Sequence, residues 1–126
     1  MNALALLTVA AGGAFGAVLR FSIAALIGAH HLFPWATLTI NIAGSFAIGL
    51  VWGGYGHTEW FANWGRLLIV VGMLGGFTTF SAFSLETLNL LNSSRFVVAG
   101  GYVLASVLVC LIAVYFGEKM GQALLP

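Results

Sequence analysis

The sequence predicts an all-α membrane protein with four transmembrane helices, the third of which is broken. Of its 126 residues, 61% are hydrophobic and only 6% are charged, whereas roughly a quarter of the residues in a soluble domain are charged. Four apolar segments are each long enough for a bilayer core, which a helix of about 20 residues crosses. We therefore expect residues 1–126 to form a single four-helix transmembrane domain.

The predicted spans are residues 3–27, 35–53, 67–91 and 96–124. Pro34 directly precedes the second span, where its fixed backbone suits the start of a helix. The longest connection is expected at residues 54–64, which carry aromatic side chains typical of a membrane interface. The other connections are short, so no soluble domain is expected between the spans.

The third span contains a stretch that is a poor continuous helix. Gly72, Gly75 and Gly76 lie within five residues, and the β-branched Thr78 and Thr79 follow them. Backbone entropy and restricted side chains both disfavour an unbroken helix there. Because lipid cannot satisfy freed backbone groups, a break at this depth must be buried in protein or line a polar cavity. We therefore expect the rest of the chain to shelter this break.

Two ionisable residues are expected within the membrane region. In the first span, Gly12 and Gly16 form a small-xxx-small face for close helix contact, and Arg20 lies one turn further along. A charge at this depth is costly, so Arg20 is expected to face a water-filled vestibule or a partner. The alternative is that its side chain extends to the lipid headgroups. Glu86 is expected on the pathway or at the edge of a vestibule.

Two other spans carry polar stripes. The second span has Thr37, Asn41 and Ser45 at i, i+4 and i+8, and the fourth repeats this spacing with Tyr102, Ser106 and Cys110. One interpretation is that these side chains only join helices, as polar residues in membranes commonly do. The Asn41 amide has four hydrogen-bonding sites, which makes it an expensive choice for that role. The stripes therefore predict a narrow polar track between the helices.

The basic residues are balanced between the two membrane sides. With the N-terminus and C-terminus on one side, that side holds Arg66 and Lys119, and the other holds Arg95 and, by proximity, Arg20. This gives almost no positive-inside bias, so both orientations are expected. Four helices are also few to enclose a pathway, and both facts favour an antiparallel homodimer. The pI near 8.0 predicts no nucleic-acid partner.

A transporter, a scaffold subunit and an enzyme are the alternatives to a protein with a polar ion pathway. A proton-coupled small multidrug transporter needs an acid in its first span, where this chain has Arg20 and no acid. A scaffold subunit would explain the glycine faces but not the polar residues beside the break. No enzyme is expected, because His30, His31 and His57 lie in loops without a carboxylate or cysteine partner nearby. We interpret these histidines as interfacial residues.

Three motifs, in order, closely resemble the Fluc (CrcB-type) family of small bacterial fluoride channels. They are GGAFGAVLR at 12–20, NIAGSF at 41–46 and GGFTTFSAFSLE at 75–86, and the resemblance covers nearly the whole chain. It implies a fluoride-specific ion channel that exports fluoride passively from the cell and lowers its toxicity. It also implies a multi-pass, antiparallel dual-topology homodimer with two pores, surrounded by the lipid of the bacterial inner membrane. A structural sodium ion, which is not transported, is implied at the dimer interface.

The resemblance also implies the site residues. The pore positions are Phe80, Phe83, Asn41, Ser81, Thr37, Tyr102 and Ser106. Arg20 corresponds to the vestibule arginine of the family, and Glu86 to its third-span glutamate. The backbone carbonyls of Gly75 and Thr78 from both subunits correspond to the sodium ligands. This assignment agrees with physics, because a helix break frees carbonyl oxygens and oxygen suits a hard cation.

The chemistry of these positions suits a small, strongly hydrated anion. Phenyl edges carry the positive part of the ring quadrupole, so Phe80 and Phe83 can meet an anion. The Asn41 amide and the hydroxyl groups supply hydrogen-bond donors. The alternative for the two rings is ordinary helix packing. The chain departs from the family at Ala82, where a hydroxyl is frequent, and at Phe21, where tyrosine is common; the missing hydroxyl predicts slower conduction.

Overall fold

The computed structural model describes residues 1–29 and 32–126, and these contain four helices long and apolar enough to cross a membrane. The first two are α1 (Ala3–Ile27) and α2 (Trp35–Tyr55). The third span, Phe61–Asn92, is divided into α3 and α4. α3 consists of a π-helical segment, Phe61–Leu74, and a last α-helical turn, Gly75–Phe77, while α4 is Phe80–Asn92. The fourth span is α5 (Phe96–Leu124). The all-helical fold with four spans is confirmed.

The helix bounds in the middle of the chain differ from the approximate spans that the sequence predicts. The second span was predicted to end at 53 and the third to begin at 67, but α2 continues to Tyr55 and α3 already begins at Phe61. The third span also ends at Asn92, one residue later than predicted. Gly54, predicted as the first residue of the longest connection, lies instead within α2, and a Cβ there would lie 2.6 Å from Leu125. This glycine is therefore a packing contact and does not terminate the helix.

The most extensive contact between two helices is that of α2 with α5, and glycines on both helices make it possible. A Cβ at Gly49 would lie 2.1 Å from the carbonyl oxygen of Val114, and one at Gly53 would lie 2.2 Å from that of Glu118. From the other side, a Cβ at Gly117 would lie 2.2 Å from the carbonyl oxygen of Phe46. Small residues spaced four apart let two backbones approach in this way.

The glycine face predicted on α1 packs against α3. A Cβ at Gly16 would lie 2.0 Å from the carbonyl oxygen of Met73, and one at Gly12 would lie 2.4 Å from that of Leu68. Both glycines are buried. The prediction that Gly12 and Gly16 serve close helix contact is therefore confirmed, and the bundle consists of two tight pairs, α1 with α3 and α2 with α5.

Tyr102 on α5 is completely buried and has no exposed surface. It lies in a cluster with Leu38, Phe83, Leu90 and Ala99. These residues come from α2, α4 and α5, so the cluster fixes the position of α4 against the tight pair. This fixes the position of the polar side chains that α4 carries.

A matched pair of substitutions on α5 tests the role of the glycine contacts. Gly117→Ala should lower the stability by about 1–3 kcal/mol, because overpacking at a backbone contact forces the helices apart. Gly100→Ala is the control, since Gly100 is exposed and a Cβ there meets nothing within 4 Å. Thermal unfolding of the purified variants in detergent would measure the difference. Equal unfolding temperatures for the two variants would contradict this packing.

Candidate functional site: a cavity at the helix break

The predicted break is present, and it falls on two threonines. Thr78 has φ −83° and ψ 159°, and Thr79 has φ −153° and ψ 117°, so both are extended. Gly75 and Gly76, which gave the sequence signal, remain helical. The interruption lies near the middle of the span Phe61–Asn92. Its backbone groups therefore need partners inside the protein.

Asn41 supplies those partners from the neighbouring helix α2. The Thr79 N–H donates to Asn41 Oδ1 at 2.8 Å, and Asn41 Nδ2 donates to the Thr79 carbonyl oxygen at 3.0 Å. One side-chain amide thus satisfies both the donor and the acceptor of the residue at the break. Without Asn41, the Thr79 N–H would be orphaned at a depth where lipid offers no replacement, whereas the Thr79 carbonyl, at the N-cap of α4, also accepts from within that helix.

The start of α4 is capped within the break itself. Thr79 Oγ1 accepts a hydrogen bond from the Ala82 N–H at 3.1 Å, and it lies 3.3 Å from Ser81 Oγ. Thr79 is thus a side-chain N-cap, a role that threonine commonly fills. α4 therefore begins in mid-span, and its N-terminal end carries partial positive charge. Sequence reasoning did not assign Thr79 a role, although a threonine just before a helical segment is the relevant signal.

The same bonds free two carbonyl oxygens. In a continuous α-helix the Thr79 N–H would bond to the Gly75 carbonyl, but here it bonds to Asn41. Likewise, the Ala82 N–H would bond to the Thr78 carbonyl, but it bonds to the Thr79 hydroxyl. Gly75 is also exposed on the surface of the protomer. The two carbonyls that sequence reasoning selected are therefore those whose helical donors have been diverted.

Arg20 contacts the break from the side of α1. Its Nε donates to the carbonyl oxygen of Gly76 at 3.2 Å, and the side chain is half-buried. A cation at the C-terminal end of α3 is also favoured by the helix dipole. The structure therefore places Arg20 at the end of α3, and Arg20 does not line the cavity formed beside α2 and α5.

A cavity of about 390 Å³ lies against the break, between α2, α3, α4 and α5. Its lining includes Asn41, Ser45, Gly75, Thr78, Thr79, Phe80, Phe83, Ser106 and Cys110. Ser106 Oγ is buried and has no hydrogen-bond partner among the side chains that the structure describes. The Phe80 and Phe83 rings are 5.3 Å apart between centroids; Phe80 is 76% exposed, while Phe83 is buried. Four of the predicted pore residues thus share one cavity.

Of the three remaining predicted pore residues, Ser81 is exposed and lines neither this cavity nor the Glu86 group, whereas Thr37 and Tyr102 meet at Glu86, one turn further along α4. Thr37 Oγ1 donates to Glu86 Oε1 and the Tyr102 hydroxyl donates to Glu86 Oε2, each at 2.6 Å. Hydrogen bonds to a carboxylate are short and strong, so this group joins α2, α4 and α5. The Tyr102 ring lies 5.2 Å from that of Phe83, between centroids. This contact links the Glu86 group directly to the cavity.

The histidines are separate from this site. His57 is exposed in the turn after α2, and His30 and His31 lie outside the described residues. Within residues 1–29 and 32–126, no group of three or more His, Cys, Asp or Glu side chains is placed to hold a metal ion.

Four membrane-crossing helices, one of them broken beside a cavity that polar side chains help to line, define a multi-pass membrane protein with a candidate site at the break. Residues 7–118 match the family described as CrcB-like protein, Camphor Resistance (CrcB), and the chain belongs to that family. This confirms the resemblance seen in the three sequence motifs.

Named relatives align over nearly their whole length. A protein of Opitutus terrae is 46% identical over 117 residues, covering 89% of this chain and 88% of the relative. One of Elusimicrobium minutum is 44% identical over 121 residues, with 93% of each chain covered. One of Geobacter sulfurreducens is 43% identical over 123 residues, covering 94% of this chain and 98% of the relative. Each of these relatives is named fluoride-specific ion channel FluC.

Proposed function

We propose that this chain is a fluoride-specific ion channel through which fluoride leaves the cell passively, so that its toxicity falls. The observation that carries this function is the near-full-length similarity to relatives that bear the name of such a channel. Their names are those of ion channels, so this chain is not an enzyme, as its sequence predicted. The break with its polar cavity supports an anion pathway independently of those names.

The proposed pathway passes the break on the side of the cavity. The N-terminal end of α4 is there, and helix N-termini favour anions. The Asn41 amide nitrogen carries two hydrogens, and one bond to Thr79 leaves the other for an anion. The unpartnered Ser106 hydroxyl offers a further donor. The edges of the Phe80 and Phe83 rings complete a narrow site where water is replaced by weak, repeated contacts.

Beyond Phe83, the proposed pathway reaches the Glu86 group. Thr37 and Tyr102 already donate their hydroxyl hydrogens to the carboxylate. An anion arriving here must take over one of these donors from Glu86, since a fluoride ion can only accept hydrogen bonds. The exchange of one acceptor for another keeps the hydroxyl satisfied throughout. Both hydroxyls are thus proposed as successive steps of one polar track.

We also propose that two copies assemble as an antiparallel homodimer in the bacterial inner membrane. The cavity beside the break is open on the surface of one protomer, where Gly75 and Phe80 are exposed. Four helices do not close a pathway around such a surface, and a two-fold partner does. Balanced basic residues on the two sides support insertion in both orientations. Two symmetric pores follow from this arrangement.

A sodium ion at the two-fold axis is proposed to hold the two breaks together. The carbonyls of Gly75 and Thr78 have lost their helical donors, and Gly75 lies on the exposed surface. A two-fold axis doubles these two oxygens to four, and hard cations prefer oxygen ligands. The sodium would supply positive charge that fixes the subunit geometry, and it would not be transported.

The test of function is anion efflux from liposomes that contain only the purified protein. Equal gradients of fluoride and chloride should give rapid fluoride loss and no chloride loss above that of protein-free liposomes, because the track offers small, closely spaced donors. An ion-selective electrode for each anion measures the rates. Fluoride loss no faster than from empty liposomes, or equal loss of both anions, would contradict the proposed function.

Replacing sodium on both sides of the liposome by the larger N-methyl-D-glucamine cation tests the proposed ion. Fluoride efflux should fall strongly and recover when sodium is returned, because the four carbonyls would repel one another without a cation. Potassium or lithium in place of sodium gives the control for general salt effects. Undiminished efflux after complete exchange would rule out a required structural sodium and leave the channel function standing.

A further inference from the structure

A second crevice, of about 580 Å³, lies at the end of the bundle where the α1–α2 connection meets the α4–α5 turn. Ala29, Leu32 and Phe33 contribute to its rim from the first connection, and Ser93 and Arg95 from the second. Connections between membrane spans lie at the membrane surface, because their backbone needs water. The rim of this crevice therefore opens to the aqueous phase.

The inner end of the crevice reaches the polar track. Thr37 and Glu86 line it, and both belong to the hydrogen-bonded group that includes Tyr102. On the other side of that group, Phe83 lines the cavity at the break and packs against the Tyr102 ring. The two cavities thus lie in series, with the Glu86–Tyr102 contact between them.

Two charged side chains line this crevice in the part of the chain that the structure describes, Arg95 and Glu86. Arg95 Nη1 donates to the carbonyl oxygen of Leu32, which holds the half-buried guanidinium across the rim. A guanidinium has more donors than this bond uses. Arg95 also immediately precedes α5, whose N-terminal end adds partial positive charge. The rim is therefore positive, although the inner end carries a carboxylate.

We propose that this crevice is the outer mouth of the fluoride pathway and that Arg95 is the charge that gathers the anion there. This inference rests on the proposed channel function. With the Arg95 charge removed, an arriving anion would meet a crevice in which the remaining charged side chain, among the residues that the structure describes, is the Glu86 carboxylate, which repels it. With Arg95 present, the positive rim raises the local concentration of fluoride before it reaches the Thr37 and Tyr102 hydroxyls.

The experiment compares fluoride efflux of the parent with Arg95→Gln and Arg95→Lys at two ionic strengths set by an impermeant salt. Arg95→Gln should slow efflux roughly 3- to 10-fold at about 10 mM salt, a modest effect on the scale of electrostatic steering. The deficit should nearly vanish at about 1 M salt, where the Debye length is near 3 Å. Arg95→Lys, which keeps the charge, should retain most of the parent rate at both ionic strengths.

Arg66→Gln is the matched control, because it removes the same charge from an exposed position that lines neither the cavity at the break nor the crevice. Its efflux should equal that of the parent. Two variants at Ser93, also on the rim, leave the Arg95–Leu32 contact unchanged. Ser93→Asp should reproduce the salt-dependent deficit in fluoride efflux, while Ser93→Asn should not.

Parent-like efflux of both Arg95→Gln and Ser93→Asp at low salt would overturn the proposal. So would a deficit of the same size at both ionic strengths, which marks a structural role, or an equal deficit in Arg66→Gln. None of these outcomes bears on the selectivity of the parent for fluoride over chloride, so this inference can fail while the channel function stands.

Discussion

The pair of hydrogen bonds between Asn41 and the backbone of Thr79 is the constraint on which the site depends. An interrupted helix inside a bilayer leaves donors and acceptors that lipid cannot satisfy, at a cost of several kcal/mol for each group. The Asn41 amide satisfies one of each at the same residue. Because the Thr79 N–H is directed to Asn41, α3 ends, α4 begins, and carbonyls of the last turn of α3 are released. The cavity lies against the break that these two bonds stabilise.

Close helix packing brings Asn41 to the break. Gly44 lies one turn along α2 from Asn41, and a Cβ there would lie 2.2 Å from the Thr78 methyl group. Glycine contacts between α2 and α5, at Gly49 and Gly117, hold α2 against α5. These glycines therefore pack the helices together and also hold the Asn41 amide at the break.

Hydropathy was sufficient to predict four spans and the ends of the first and last of them, because lipid imposes a minimum length on each helix. The glycines and the two threonines after them predicted the break in the third span, and the interruption falls on Thr78 and Thr79, directly before the helix resumes at Phe80. The glycines stay helical and the threonines are extended, because Asn41 on another helix provides the bonds that only Thr79 receives. Such a contact lies outside any local periodicity.

The hydrogen-bond partners of Glu86 could not be predicted from the neighbouring sequence either. Its expected position at a vestibule follows from the cost of burying a charge, but its two hydroxyl partners come from α2 and α5 and are distant in sequence. The early start of α3 was missed for a similar reason. The aromatic residues near Trp60 are predicted in a loop at the interface, whereas the rings of Trp60, Phe61 and Trp64 pack together where the third span begins.

The central claim is that the anion passes the break beside the phenylalanine pair. Phe80 tests it most directly, because this ring is 76% exposed on the protomer and contributes little to its core. Fluoride efflux from liposomes should fall at least about ten-fold in Phe80→Ile, equivalent to roughly 1.4 kcal/mol in the barrier, with the dimer intact by size exclusion. Phe116→Ile, at a 61% exposed ring outside the described cavities, should conduct like the parent. Parent-like efflux in a well-folded Phe80→Ile dimer would contradict the claim and place the pathway elsewhere.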